Sequence, residues 1–314
     1  MSNLVFSLNS TIPIFLVIIL GYILMRVGLF TKEFTRIADK YVFKVALPVL
    51  LFKQIATADI HKDFDWKFVV FCMLATTIMF ALCWLGARIF LKDKSMVGAF
   101  AQASARGSAA ILGIAFIENI YGASGMGPLM IVSAVPLYNI YSVIILTFSA
   151  QDREKGRGAV KKAFLNVLKN PIIIGIFLGL PFSIIGIEIP TIPLKAITSV
   201  ANTATPIALL VVGAGFEGKK AIKKIGPTMV ATFIKLIGLP LLFLPAAIAL
   251  GFRNEALVAI IVMLGSPTTV TCYIMAKNMG NDEVLSSSVV VTATLFSSVT
   301  LTLWIFFMRS MGWI

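Results

Sequence analysis

Ten apolar segments, separated by short connections rich in Lys and Arg, leave this chain few ways to fold. They run approximately over 5–29, 38–58, 67–91, 96–119, 127–150, 166–187, 191–216, 226–250, 256–278 and 286–308. Each is close to the ~20 residues that a helix needs to cross the hydrocarbon core. No water is available there to bond an open sheet edge, so the segments are predicted to be helices. Composition agrees. Of the 314 residues, 59% are apolar and 13% charged, against roughly a quarter charged in a soluble domain. The expectation is an all-α, polytopic membrane protein without a soluble domain.

The net charge of +13 does not point to nucleic acid, because the basic residues sit in the short loops. Eighteen Lys and Arg fall in one set of loops and five in the opposite set. Basic loops stay in the cytoplasm, which places both termini outside and the 151–170 connection inside the plasma membrane. The segment that starts near residue 5 is too long for a signal peptide and is read as a retained first span. Cys72, Cys83 and Cys272 lie inside apolar segments with no disulfide or metal spacing. They read as core residues. His61 sits in an outer loop.

Helix breakers recur at a fixed offset of 158 residues. Gly107-Ser108 is matched by Gly265-Ser266, Pro13 by Pro171, Gly21 by Gly179, Pro48 by Pro206 and Gly122 by Gly280. Ile14, Ile18, Leu20 and Ala46 also recur. Five spans is an odd number, so the second copy must enter the membrane upside down relative to the first. The expected plan is a first five-helix repeat over 1–150, a basic cytoplasmic linker over 151–165 and an inverted repeat over 166–314. Inverted repeats of this kind give secondary transporters two mirrored access states.

Arg106-Gly107-Ser108 and Gly265-Ser266-Pro267 each lie about ten residues into their segments, which at ~1.5 Å per residue is near the midplane. Gly weakens a helix, and Pro removes an amide hydrogen and clashes with the turn before it. Broken backbone at that depth must be buried in protein or line a cavity. The half-helix N-termini could hold an anion there, with Ser108, Ser266, Thr268 and Thr269 adding hydroxyls; ordinary packing kinks are the alternative. Arg106 suits a carboxylate but could also pair with backbone carbonyls or snorkel. Lys235, deep in the eighth segment, could be a substrate counter-charge or stand in for a bound cation. Lys44 is close enough to its segment's end to snorkel. Asn139 offers polar atoms to a substrate or to a structural hydrogen bond.

Absences narrow the function. All fourteen Asp and Glu fall in loops or at segment ends, Glu118 being the deepest, so a carboxylate-centred cation antiporter is disfavoured. No phosphate-binding Gly-Lys-Ser/Thr loop, nucleophile–base pair or metal-spaced cluster is present, which argues against an ATP-driven pump, an enzyme, a cofactor or a metal. The cargo that fits is a small organic anion, carried through a lipid bilayer. A sodium-coupled symporter and a non-transporting sensor or scaffold remain alternatives.

Ala46-Leu47-Pro48, Arg106 with Gly113 and Tyr121-Gly122, Tyr138-Asn139, and Pro267 with Ala276-Lys277 occur in an order that resembles the auxin efflux carrier family, which includes plant PIN proteins and bacterial dicarboxylate permeases. The resemblance covers essentially the whole chain. It implies ten helices in two inverted five-helix repeats, with helices 4 and 9 crossing at the site, as in bile-acid symporters and sodium/proton antiporters. It also implies transport of a carboxylate such as malate, malonate or an auxin-like acid, with Ser108 and Thr268 as the polar residues of the crossing. Helices 3, 4, 5, 8, 9 and 10 would move against a scaffold of helices 1, 2, 6 and 7, which could also carry a homodimer contact. The family commonly has Asn where Ser108 stands and Pro where Ala115 stands, and Cys272 replaces a Pro of plant members.

Overall fold

The computed structural model describes residues 2–57, 64–109, 117, 120, 121, 125–150 and 159–314. His61, Gly113, Ala115, Glu118, Gly122 and residues 151–158 of the expected linker lie outside them. Among the described residues the molecule is all-helical, and its sole β-type pairing is an isolated antiparallel bridge between Gly107 and Thr268.

Helix α1 covers Ser2–Arg26. Helix α2 (Lys32–Tyr41) passes through a π-helical turn at Val42–Ala46 into α3 (Leu47–Ala56). Then come α4 (Trp66–Phe90), α5 (Val97–Ala105) and α6 (Gly127–Ser149). Helix α7 (Ala159–Leu168) takes up the end of the expected linker and leads into α8 (Pro171–Ile185). Helices α9 (Thr191–Ala201), α10 (Ala204–Ala214) and α11 (Gly218–Lys223) follow. Helix α12 (Ile225–Phe233) continues through a second π-helical turn, Ile234–Gly238, into α13 (Leu239–Ala249). The chain ends with α14 (Asn254–Gly265), α15 (Thr271–Asn278) and α16 (Glu283–Ser310).

The starts and stops have local causes. Thr31, Asp65, Asn170 and Asp282 each accept a hydrogen bond from a first-turn amide of the following helix, satisfying donors that the helix leaves unpaired. Pro171 occupies the first position of α8, where no N–H is needed, and Gly186 ends the helix at φ +74°. Three interior irregularities trace to proline, which lacks an N–H and crowds the carbonyl four residues back. Pro48 follows Lys44 in the first π-turn, and Pro240 follows Leu236 in the second. Pro206 follows Asn202, where α9 and α10 separate, so the expected segment 191–216 is two helices. The carbonyl that Pro240 leaves free on Leu236 is taken by the indole N–H of Trp304 at 3.0 Å.

Five stretches among the described residues are long and apolar enough to cross a membrane: Trp66–Phe90, Gly127–Ser149, Thr191–Ala214, Ile225–Ala249 and Glu283–Ser310. Large apolar side chains such as Leu16, Leu74, Phe177, Leu241 and Phe306 are exposed on the outside, as contact with lipid requires.

The helices pack as two groups. In one, α3 lies along α8 and α9, and α1 lies along α10. In the other, α4 packs on α5 and α6, α14 on α13, and α16 on α12 and α15. The groups meet where α1 lies against α16, and through an ion pair of 2.8 Å from Lys277 on α15 to Asp39 on α2. Lys224 pairs with Asp282 at the start of α16.

Within the first group the helices touch backbone to backbone. A β-carbon on Gly21 would run into the main chain of Leu210, one on Gly213 into that of Ile18, one on Gly175 into that of Pro48, and one on Gly179 into that of Phe52. Small residues at such seams bring helices close enough for dispersion to hold them where lipid offers no hydrophobic drive. Overpacking a seam costs about 1–3 kcal/mol. Gly213→Ala is therefore expected to lower the thermal midpoint of detergent-purified protein by several degrees. Gly86→Ala, whose β-carbon would meet nothing within 4 Å, should leave it unchanged or raise it. An unshifted midpoint in Gly213→Ala would refute the close contact.

Candidate functional site

Helices α5 and α14 both end in the interior of the protein. Arg106 leaves α5 in an extended conformation (φ −80°, ψ 123°), and Ser266 leaves α14 in the same way (φ −65°, ψ 151°). The freed backbone groups pair with each other: the Ser108 amide donates to the Pro267 carbonyl at 2.9 Å, within the Gly107–Thr268 bridge. The Thr268 hydroxyl donates to the Ala103 carbonyl at 2.7 Å, pinning the two breaks together from the side. Gly107 stands close against two side chains of the crossing. A β-carbon there would collide with Ser266 Oγ and lie 2.9 Å from Lys235 Nζ. Gly265 is similarly hemmed in, 3.2 Å from Pro240 Cγ.

Lys235 comes to the crossing from the second π-turn. It is fully buried, and its ammonium donates to the Leu264 carbonyl at 2.6 Å and reaches the Met263 carbonyl at 3.4 Å. Tyr138 OH also donates to the Met263 carbonyl, at 2.9 Å. The last carbonyls of a helix carry partial negative charge, so a cation and a hydroxyl at the end of α14 offset both that charge and the missing hydrogen bonds.

Arg106 is 5% exposed. Its Nη2 donates to Asn139 Oδ1 at 2.8 Å and its Nη1 to Met275 Sδ at 2.7 Å. Asn139 is held in turn by its own donation to the Val135 carbonyl at 2.9 Å. Among the described residues no carboxylate forms an ion pair with Arg106 or Lys235. Two buried basic side chains therefore stand at the crossing without an anionic partner among the described residues. Arg106, Gly107, Ser108, Tyr138, Thr269 and Thr271 share the lining of a cavity of about 50 Å³ with Leu47, Leu50, Leu51 and Gln54 of α3. Ser266 Oγ is buried with no hydrogen-bond partner among the described residues.

The residues singled out from the sequence thus come together: Arg106, Gly107, Ser108, Asn139, Lys235, Gly265, Ser266, Pro267, Thr268 and Thr269 surround one crossing. Lys44 is exposed and apart from it. The C-termini of α5 and α14 meet at the crossing, and the N-terminus of α15, at Thr271, lies beside the cavity. Sequence reading missed Gln102, Met275 and Thr271. Gln102 stands one helical turn before Arg106, a spacing that could have drawn attention to it. Met275 carries no signal of its own in an apolar segment.

The family model described as membrane transport protein matches residues 6–305. The chain belongs to that family. It is the family of auxin efflux carriers that the sequence resembles, a family of membrane transporters. This transport-family chain is 24% identical over 314 residues to "Uncharacterized transporter YfdV" of Escherichia coli strain K12, covering 98% of this chain and 99% of the relative. It is 24% identical over 307 residues to a Rhizobium meliloti protein named "Putative malonate transporter", covering 95% of each. It is also 25% identical over 243 residues to "Lysosomal cholesterol signaling protein" of Mus musculus, a match that covers 72% of this chain and 28% of that protein.

The bond from Thr268 to Ala103 joins the two breaks through a buried pair, and leaving the Ala103 carbonyl bare costs about 1–3 kcal/mol. Thr268→Val should lower thermal stability accordingly, whereas Thr268→Ser, which keeps the hydroxyl, should recover most of it. Equal losses in both variants would show that the methyl group, not the hydrogen bond, matters.

Proposed function

We propose that this member of the membrane transport protein family is a secondary transporter of a small organic anion, working by alternating access between two inverted five-helix repeats. The observation that carries the reading is Arg106: a buried guanidinium at a helix crossing, beside a cavity and, among the described residues, without a carboxylate partner. A buried cation with no fixed counter-charge is costly to keep. A carboxylate arriving from solution would supply what the protein leaves out, held by a planar fork suited to two oxygens. Ser108, Ser266 and Thr269 add hydroxyls around it, while Lys235 stands on the α14 carbonyls where a metal cation would otherwise be needed. The relative named for malonate makes a short dicarboxylate the first substrate to try.

Several features support the inverted repeat. Helices α4, α5 and α6 recur about 158 residues later as α12–α13, α14 and α16. The π-turn at Val42–Ala46 has its counterpart in the break between α9 and α10. The contact of Gly21 with Leu210 mirrors that of Gly179 with Phe52, both pairs being related by the same offset. The bridge at the crossing is antiparallel, as inversion requires. In this reading the group containing α5, α14 and α15 moves against the group containing α1, α3, α8 and α10. The cavity of about 50 Å³ has room for only a few waters, so in this reading an acid enters when α3 withdraws from Arg106. Both termini then lie on the extracytoplasmic side.

Malonate uptake into proteoliposomes tests the site. Arg106→Ala and Ser266→Ala should each reduce uptake, Arg106→Ala by at least tenfold, since a charge-assisted hydrogen bond contributes about 1.5–3 kcal/mol. Wild-type uptake in both variants, with both still monodisperse, would rule out the crossing as the substrate site.

A further inference from the structure

Two donors converge on one poor acceptor beside the cavity. Arg106 Nη1 lies 2.7 Å from Met275 Sδ, and Gln102 Nε2 lies 3.4 Å from the same sulfur. All three side chains are buried. A thioether is a weak acceptor, whereas a guanidinium presents five N–H donors and carries a full charge. The Gln102 carbonyl oxygen, also buried, has no hydrogen-bond partner among the described residues. The sulfur thus occupies a position that an oxygen anion would fill far better. A route to that position exists: Met275 stands one turn beyond Thr271 on α15, on the same helix face, and Thr271 lines the cavity. Methionine is unbranched and has three rotatable bonds, so it can swing aside without disturbing the helix.

We propose that Met275 is a displaceable placeholder for the substrate's carboxylate on Arg106 and Gln102, and that its thioether sets the affinity of the site. The inference rests on the reading of Arg106 as the anion-binding residue. With the site empty, the sulfur partly satisfies the two donors. When an acid binds, its oxygens take over the bonds from Arg106 Nη1 and Gln102 Nε2, and the methionine leaves the position. Substrate binding is then an exchange of acceptors, and every bond the placeholder makes is subtracted from the affinity of the ligand.

This makes opposite demands on two substitutions. Met275→Leu preserves volume and removes the acceptor, so malonate should bind more tightly, with Kd lowered roughly three- to tenfold. Met275→Gln supplies a stronger acceptor and should raise Kd by a similar factor. A purely structural methionine would give weaker binding in both variants, or no change in either. The measurement is calorimetric titration of malonate into full-length purified protein, with Arg106→Gln alongside and thermal midpoints recorded for each variant. Tighter binding in Met275→Leu supports the proposal even if Met275→Gln fails to fold. If Arg106→Gln abolishes binding while Met275→Leu binds no better than wild type, the placeholder is overturned and the Arg106 site stands. Should Arg106→Gln bind malonate normally, or wild type and Met275→Leu both fail to bind it, the Arg106 reading falls and the placeholder with it.

Discussion

Everything near the centre of this molecule depends on how broken backbone is satisfied away from water. A helix that stops inside an apolar medium exposes carbonyls and amides, each costing several kcal/mol if left bare. Here α5 and α14 stop at one place and use each other, through Ser108 to Pro267 and Thr268 to Ala103. The remaining carbonyls at the end of α14 receive Lys235 and Tyr138. Glycine at 107 makes the approach close enough for these bonds to form. The polar centre is therefore a requirement of the fold before it is a place for a ligand, and side chains that complete the backbone bonding are thereby held beside the cavity.

Proline acts as a second organiser. At positions 48, 206 and 240 it opens a helix four residues upstream, giving a π-turn, a break and another π-turn. The third of these bears Lys235, and its spare carbonyl is taken by Trp304 on α16. A local steric rule thus positions the buried ammonium, since Lys235 precedes the opened carbonyl by one residue. The seams lined by Gly21, Gly175, Gly179 and Gly213 perform the opposite task. They draw helices together until main chains touch, leaving the first group of helices little room to rearrange internally.

Much of this was legible in the sequence, for identifiable reasons. The apolar runs gave the helices because a membrane-spanning segment has little choice of backbone. The breaks at 106–108 and 265–267 were visible because Gly and Pro disrupt helices by local sterics, and the offset showed that they belong together. What could not be read were contacts set by packing. Met275 against Arg106 is a meeting of two helices far apart in sequence, and nothing in an isolated methionine announces it. Segment 191–216 crosses as one stretch with an interruption at residues 202–203. The form of that interruption was not legible although Pro206 was in view, because proline signals a disturbance without saying whether it will be a kink, a π-turn or a full break.

The ammonium of Lys235 is tied to the chain by a four-carbon stem. A metal ion in the same place would come and go with concentration, and each departure would carry a charge through the bilayer. A tethered cation can do neither. It stays in place whatever the ionic makeup of the medium, and it cannot dissociate. In the proposed function, with no partner ion, the current per cycle is the charge of the transported anion alone, so the membrane voltage acts directly on its movement.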